Sequence, residues 1–102
     1  METYDLSQIT AAEFKALTGE PVIIHFAENF SLPSTIVAVN KLNGYTPLER
    51  SSFSVEFRTD GDHRVIAQGI FKVVLPDGKY LDIFLVPIAQ DPLGTRYEAV
   101  FS

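Results

Sequence analysis

Only two imidazoles occur in this sequence, His25 and His63, and the second follows directly on Asp60-Gly61-Asp62. Imidazole and carboxylate are together competent ligands for a divalent transition metal. Asp60-Gly61-Asp62 reads equally well as a chain reversal, and the calcium-loop pattern is absent. A stable centre also needs several converging ligands. His25 stands alone in an apolar run, where a hydrogen-bonded structural histidine is the commoner outcome. The bland reading is preferred, and no metal-binding residue is assigned.

Asp82 and Glu98 each interrupt a strongly apolar segment, and paired carboxylates do acid–base work in many hydrolases. Such a pair needs a set separation, a pocket and one shifted pKa. Counting back from the turn at residues 75–79 puts Asp82 nearly opposite Lys72, and Glu98 has Arg96 or Arg58 within reach. Charge in strands is usually solvated, so surface pairing is the cheaper account. Ser51, Ser52 and Ser54 cluster, but no nucleophile elbow surrounds them and neither histidine has a visible orienting partner. The glycines Gly44, Gly61, Gly69, Gly78 and Gly94 each punctuate a separate turn, so no phosphate-cradling loop is formed. Tyr45, Tyr80 and Tyr97 could line a cleft, although a packed ring with its hydroxyl at the rim is the usual role. No catalytic or cofactor-binding residue and no cofactor is assigned, and the balance is against an enzyme.

The elements that would position these residues are mostly strands. Thr10 and Glu13 are spaced as a capping box, and Ile9 and Phe14 as a hydrophobic staple. With Gly19 as the stop, they predict one helix of about two turns, too short to stand alone in water. Strands follow over 22–27 and 34–42, with residues 29–33 as the turn between them. Residues 43–50 read as a loop. Residues 52–59 give the cleanest alternation, with Phe53, Val55 and Phe57 inward. Asp60-Gly61-Asp62-His63 is the next reversal. Residues 68–88 then form a long hairpin through Leu75-Pro76-Asp77-Gly78-Lys79, a type I turn closed by a G1 bulge. That hairpin is expected at the centre of the sheet, with Pro87 confining the strand's last residues to an edge or an end. Residues 90–94 turn, and 95–102 form a last strand with Tyr97, Ala99 and Phe101 on one side. The expected fold is mainly β: a small antiparallel barrel or sandwich of about six strands with one short N-terminal helix.

The chain of 102 residues fits one domain spanning 1–102. A net charge of -5 argues against nucleic acid, which requires clustered Lys and Arg. The chain lacks cysteine, which removes disulfides, thiolate nucleophiles and Cys-based metal centres. No signal peptide is visible at the start, and the apolar run 83–89 is far short of a membrane span. A cytoplasmic protein without membrane insertion is expected.

Four phrases carry a resemblance over nearly the whole chain. Phe53-Ser54-Val55-Glu56-Phe57-Arg58, Gln68-Gly69, Phe84-Leu85-Val86-Pro87-Ile88 and Tyr97-Glu98-Ala99-Val100-Phe101, in that order and spacing, resemble the DUF6916 type, a small bacterial family of unknown function. The helix with Phe14 and Gly19 fits its opening. The resemblance implies no activity and no site residues. It does imply a place as an accessory of a phage-tail-like or cell-surface structure.

One feature asks for more than a folded core. Residues 22–27 (except His25) and 83–88 are apolar on both faces, which a strand with one wet face should not be. Either the helix and loops cover the outer side, or another chain does. The expected function is a non-catalytic binding or assembly module with a protein partner or self-association. The alternative is a small barrel that holds an apolar ligand.

Overall fold

A computed structural model of the protein describes residues 9–41 and 52–101. It begins with helix α1, Ala11–Ala16. Thr10 is the N-cap, and its hydroxyl accepts from the Glu13 amide at 3.3 Å. The same hydroxyl donates to the Glu13 carboxylate, so the second half of the box closes on the side chain. Ile9 and Phe14 are both buried. Gly19, at φ 86°, turns the chain out of the helix and donates its N–H to the Ile36 carbonyl at 2.8 Å. That bond anchors the exit from α1 to the barrel wall.

Six strands follow: β1 Pro21–Ala27, β2 Phe30–Lys41, β3 Phe53–Asp60, β4 Gly69–Val74, β5 Tyr80–Asp91 and β6 Gly94–Phe101. They close into an antiparallel barrel in the order β1-β2-β3-β6-β5-β4, with β4 pairing back onto β1. The β4–β5 turn has the expected form: Leu75 N–H donates to Lys79 O, Gly78 N–H donates to Leu75 O, and Gly78 lies at φ 87°. A closed barrel has no centre, so the hairpin is one wall among equals and not the middle of a sheet.

Both prolines in the long strands are accommodated by local edges. Pro33 lies inside β2 opposite Ile23, whereas β2 meets β3 only from Ser34 onward. A proline without N–H costs nothing on the side that has no neighbour. The turn between β1 and β2 is therefore Glu28-Asn29, shorter than residues 29–33. Pro87 behaves alike, because β5 pairs with β4 only as far as Leu85 and then with β6 alone, through a register shift between Pro87 and Ala89. The strand continues to Asp91, and only Pro92-Leu93 forms the last turn. The loop expected at 43–50 lies outside the described residues.

Residues 61–68 are not the simple reversal expected of Asp60-Gly61-Asp62-His63. β3 is flanked by β2 and β6, so the chain must cross β6 and β5 to reach β4. This strap is pinned to what it crosses. The Gln90 amide donates to His63 O, Thr95 Oγ1 donates to Arg64 O at 3.0 Å, and Ile66 N–H donates to the Tyr97 hydroxyl at 3.0 Å. The Arg64 guanidinium reaches over the Phe30 ring at 4.5 Å.

The core fills the barrel with rings at both ends. Phe14 of α1 meets Phe53 and Phe101, which stack on each other at 4.9 Å. Phe26 meets Phe30, Phe71 and Tyr97. The helix covers one mouth and the strap the other. Burying rings of this size is the main favourable term available to a domain of this length.

Candidate functional site

Three of the four residues that suggested a metal are committed elsewhere. Asp60 accepts from Thr35 Oγ1 at 2.6 Å and from Arg58 Nε at 3.0 Å. Asp62 is held by the Arg64 guanidinium and backbone N–H. His63 Nε2 lies 3.1 Å from the Asp91 carbonyl, to which it can only donate. His25 is on β1, opposite Ser31 on one side and Lys72 on the other. Among the described residues no three His, Asp or Glu side chains converge.

Hydrogen bonds from Arg64 pull the Asp62 carboxyl down to about 2. A carboxyl depressed in the folded state contributes stability above its ordinary value of 3.8 and loses it as pH falls through the folded value. Asp62→Asn should therefore lower the urea midpoint at pH 6, and the gap to wild type should close between about pH 4 and pH 2. A gap that persists unchanged at pH 2 would show that the ion pair does not hold the strap.

The two carboxylates singled out in the sequence share one outer surface but not one site. Glu98 pairs with Val86 of β5, four residues along that strand from Asp82. At about 3.3 Å per residue the offset is roughly 13 Å, beyond the spacing of either glycosidase geometry. Asp82 faces Lys72 directly, as counting from the turn predicts. The ammonium nevertheless sits over the Tyr80 ring at 4.7 Å, and no ion pair joins it to Asp82. Glu98 has neither expected partner: Arg96 binds Glu56 at 3.0 Å and approaches Asp91, and Arg58 binds Asp60. Glu98 instead lies opposite Glu56.

Of the serines, Ser51 lies outside the described residues, as does Tyr45 among the tyrosines. Ser52 precedes β3, and Ser54 is buried between Asn40 and Val100, with no histidine across either ladder. Tyr97 is fully buried, not at a rim. Burial pushes its phenol up from its ordinary value, so it stays protonated and donates to Arg64 O. It is a strut for the strap.

What the barrel does offer is a wall with two chemistries. The outer side of β3 and β6 carries Glu56, Arg58, Arg96 and Glu98, of which the first three are tied by the ion pairs above. The outer side of β1, β4 and β5 is largely apolar, interrupted by one polar row in which His25, Lys72 and Asp82 lie side by side. Ile70 faces Phe84 across the β4–β5 ladder, at 71% and 49% exposure. Two rows away, Ile23, Val74 and Tyr80 lie side by side. Neither α1 nor the strap covers these rows. Strand runs apolar on both faces pointed to Phe84, Ile88 and Ile23. They missed Ile70, the most exposed large apolar side chain among the described residues, whose signal was its shared parity with Lys72 two residues on.

Beyond Leu85, where β5 loses its β4 neighbour, a shallow groove of about 270 Å³ runs between the strap and the strand. Val65, Pro87, Ile88, Ala89, Gln90 and Thr95 line it. It is smaller and more open than the usual ligand cavity.

Residues 9–101 match the model of a family described as a domain of unknown function, DUF6916. No curated protein and no solved structure matches the chain.

Proposed function

This chain belongs to the DUF6916 family, and we propose that it is a non-catalytic binding or assembly module that works through the apolar outer wall of β4 and β5. The observation that carries the reading is the facing pair Ile70 and Phe84, both large and both exposed on a rigid ladder. Scattered surface leucines and isoleucines are ordinary, but two large exposed apolar side chains facing each other across one ladder, with a second apolar row close by, mark an interaction surface. The aromatic fill of the barrel supports assembly over an apolar ligand held inside. An accessory role in a phage-tail-like or cell-surface structure is a setting that such a surface fits.

A photoactivatable phenylalanine analogue placed at position 84, and in a second strain at position 58 on the charged wall, tests this in living host cells. Adducts are expected from position 84 and not from position 58. Equal labelling from both positions, or none from position 84, would remove the wall as the working surface.

A further inference from the structure

The wall reading leaves open what sits on the wall, and the charges within it point to an occupant. Between the apolar rows lies one charged row, Lys72 opposite Asp82. The Asp82 carboxylate is exposed and makes no hydrogen bond or ion pair with any described residue, while the Lys72 ammonium is turned onto Tyr80. An unpaired acid beside an available base, framed by Ile70 and Phe84 on one side and Val74 and Tyr80 on the other, is a pattern that its own copy complements.

The geometry follows from symmetry. In a dimer with closed two-fold symmetry, the same patch meets itself. Let the axis run parallel to the strands, in the plane of contact and midway between β4 and β5. Each β4 residue then faces the β5 residue it already pairs with, but on the other copy. Lys72 meets the second copy's Asp82, and Asp82 meets the second copy's Lys72. Ile70 meets Phe84, and Val74 meets Tyr80. Two ion pairs would form in the middle of an apolar contact, with no like charges opposed. Aligned sheets pack with their strands within about 30° of each other, which this axis permits.

We infer that the β4–β5 wall binds a second copy of the same chain about this axis, an inference that rests on the assembly reading above. The outside of a barrel whose extents are 38 × 30 × 23 Å is convex, so the contact spans few rows. A contact of so few rows belongs with the weak, transient class and not with the stable interfaces of about 1,200–2,000 Å². The expected complex is a reversible, concentration-dependent dimer.

Charge exchange tests the register. Wild type is followed by sedimentation equilibrium up to about 1 mM, a concentration at which even a Kd of that size leaves a large dimer fraction. Lys72→Asp places two acids opposite two acids, and Asp82→Lys does the same with bases. Each variant alone should weaken self-association at least about tenfold, an amount that lost pairing plus repulsion readily supplies. An equimolar mixture of the two should recover a heterodimer of near wild-type affinity, because every acid then meets a base. The double exchange should recover the homodimer.

Ile70→Thr is a second variant, safe for the fold because that side chain is already exposed and Thr suits a strand. It should weaken the dimer while the thermal melt stays unchanged. A wild type that remains monomeric throughout overturns the second-copy inference, and adducts from position 84 to other proteins would then leave the wall itself a binding surface. A wild-type dimer indifferent to Lys72→Asp and Ile70→Thr would place self-association on another face. A mixture of the two charge variants that stays monomeric would overturn the proposed axis.

Discussion

Gly94→Ala is expected to cost more stability than a single-methyl addition at any other described glycine. A Cβ at residue 94 would stand 1.7 Å from the Thr59 carbonyl oxygen and 2.8 Å from its carbon. Both are backbone atoms, so no rotamer change relieves the clash. Gly94 sits at the first row of the β3–β6 ladder, opposite Asp60. The surroundings are tightly held: Gly61 N–H donates to Leu93 O at 2.7 Å, and the Thr59 hydroxyl donates toward Asp62 O and Thr95 O. Inserting a methyl forces β3 and β6 apart at the point where the strap departs.

Overpacking a core typically costs about 1–3 kcal/mol, and that figure assumes side chains able to yield. Here the expected loss is above about 3 kcal/mol, a large share of the ~5–15 kcal/mol a small domain has to spend. Gly78→Ala is the control. Gly78 has φ 87° but open space around its missing side chain, so it should lose only about 1–2 kcal/mol from the left-handed conformation. Urea unfolding of both variants measures the difference. A Gly94→Ala midpoint close to that of Gly78→Ala would mean the strands do not approach this closely.

Residue 94 also marks where the sequence stopped being readable. Gly94 reads as turn punctuation, since nothing local tells a turn glycine from one that admits another strand's carbonyl. Features made by neighbours in the chain were legible: the Thr10 cap, the Leu75–Lys79 turn, and the inward set Phe53, Val55 and Phe57. Each rests on a few consecutive residues whose dihedrals and periodicity decide the outcome. Strand order was not legible. Asp60-Gly61-Asp62-His63 has the chemistry of a hairpin, and only the arrival of β6 beside β3 turns it into a crossing strap. Pro33 misled for a related reason. A proline reads as a break unless one knows that β2 has no β3 neighbour at that level. The wall was half visible, because side-chain parity along a strand shows what faces out, whereas only the barrel order shows which outward rows lie together.

Phe14→Ala should lose about 3–5 kcal/mol, the range for removing a buried phenylalanine, although it alters a helix of only six residues. The helix contributes little by itself, since so short a segment is unstable in water. Its value lies in one side chain. Phe14 is fully buried and lies against Phe53 at 6.0 Å and Phe101 at 5.2 Å, the residues that pair at the far end of the β3–β6 ladder. Truncation leaves a ring-sized void where the mouth of the barrel meets solvent, and the stacked pair beneath it loses its cover. Phe14→Leu keeps most of the volume and should retain more than half of the lost stability. Lys15→Ala, exposed on the same helix, should stay within about 0.5 kcal/mol of wild type. If Phe14→Ala proves as mild as Lys15→Ala in urea unfolding, the helix is an appendage and the barrel closes that mouth without it.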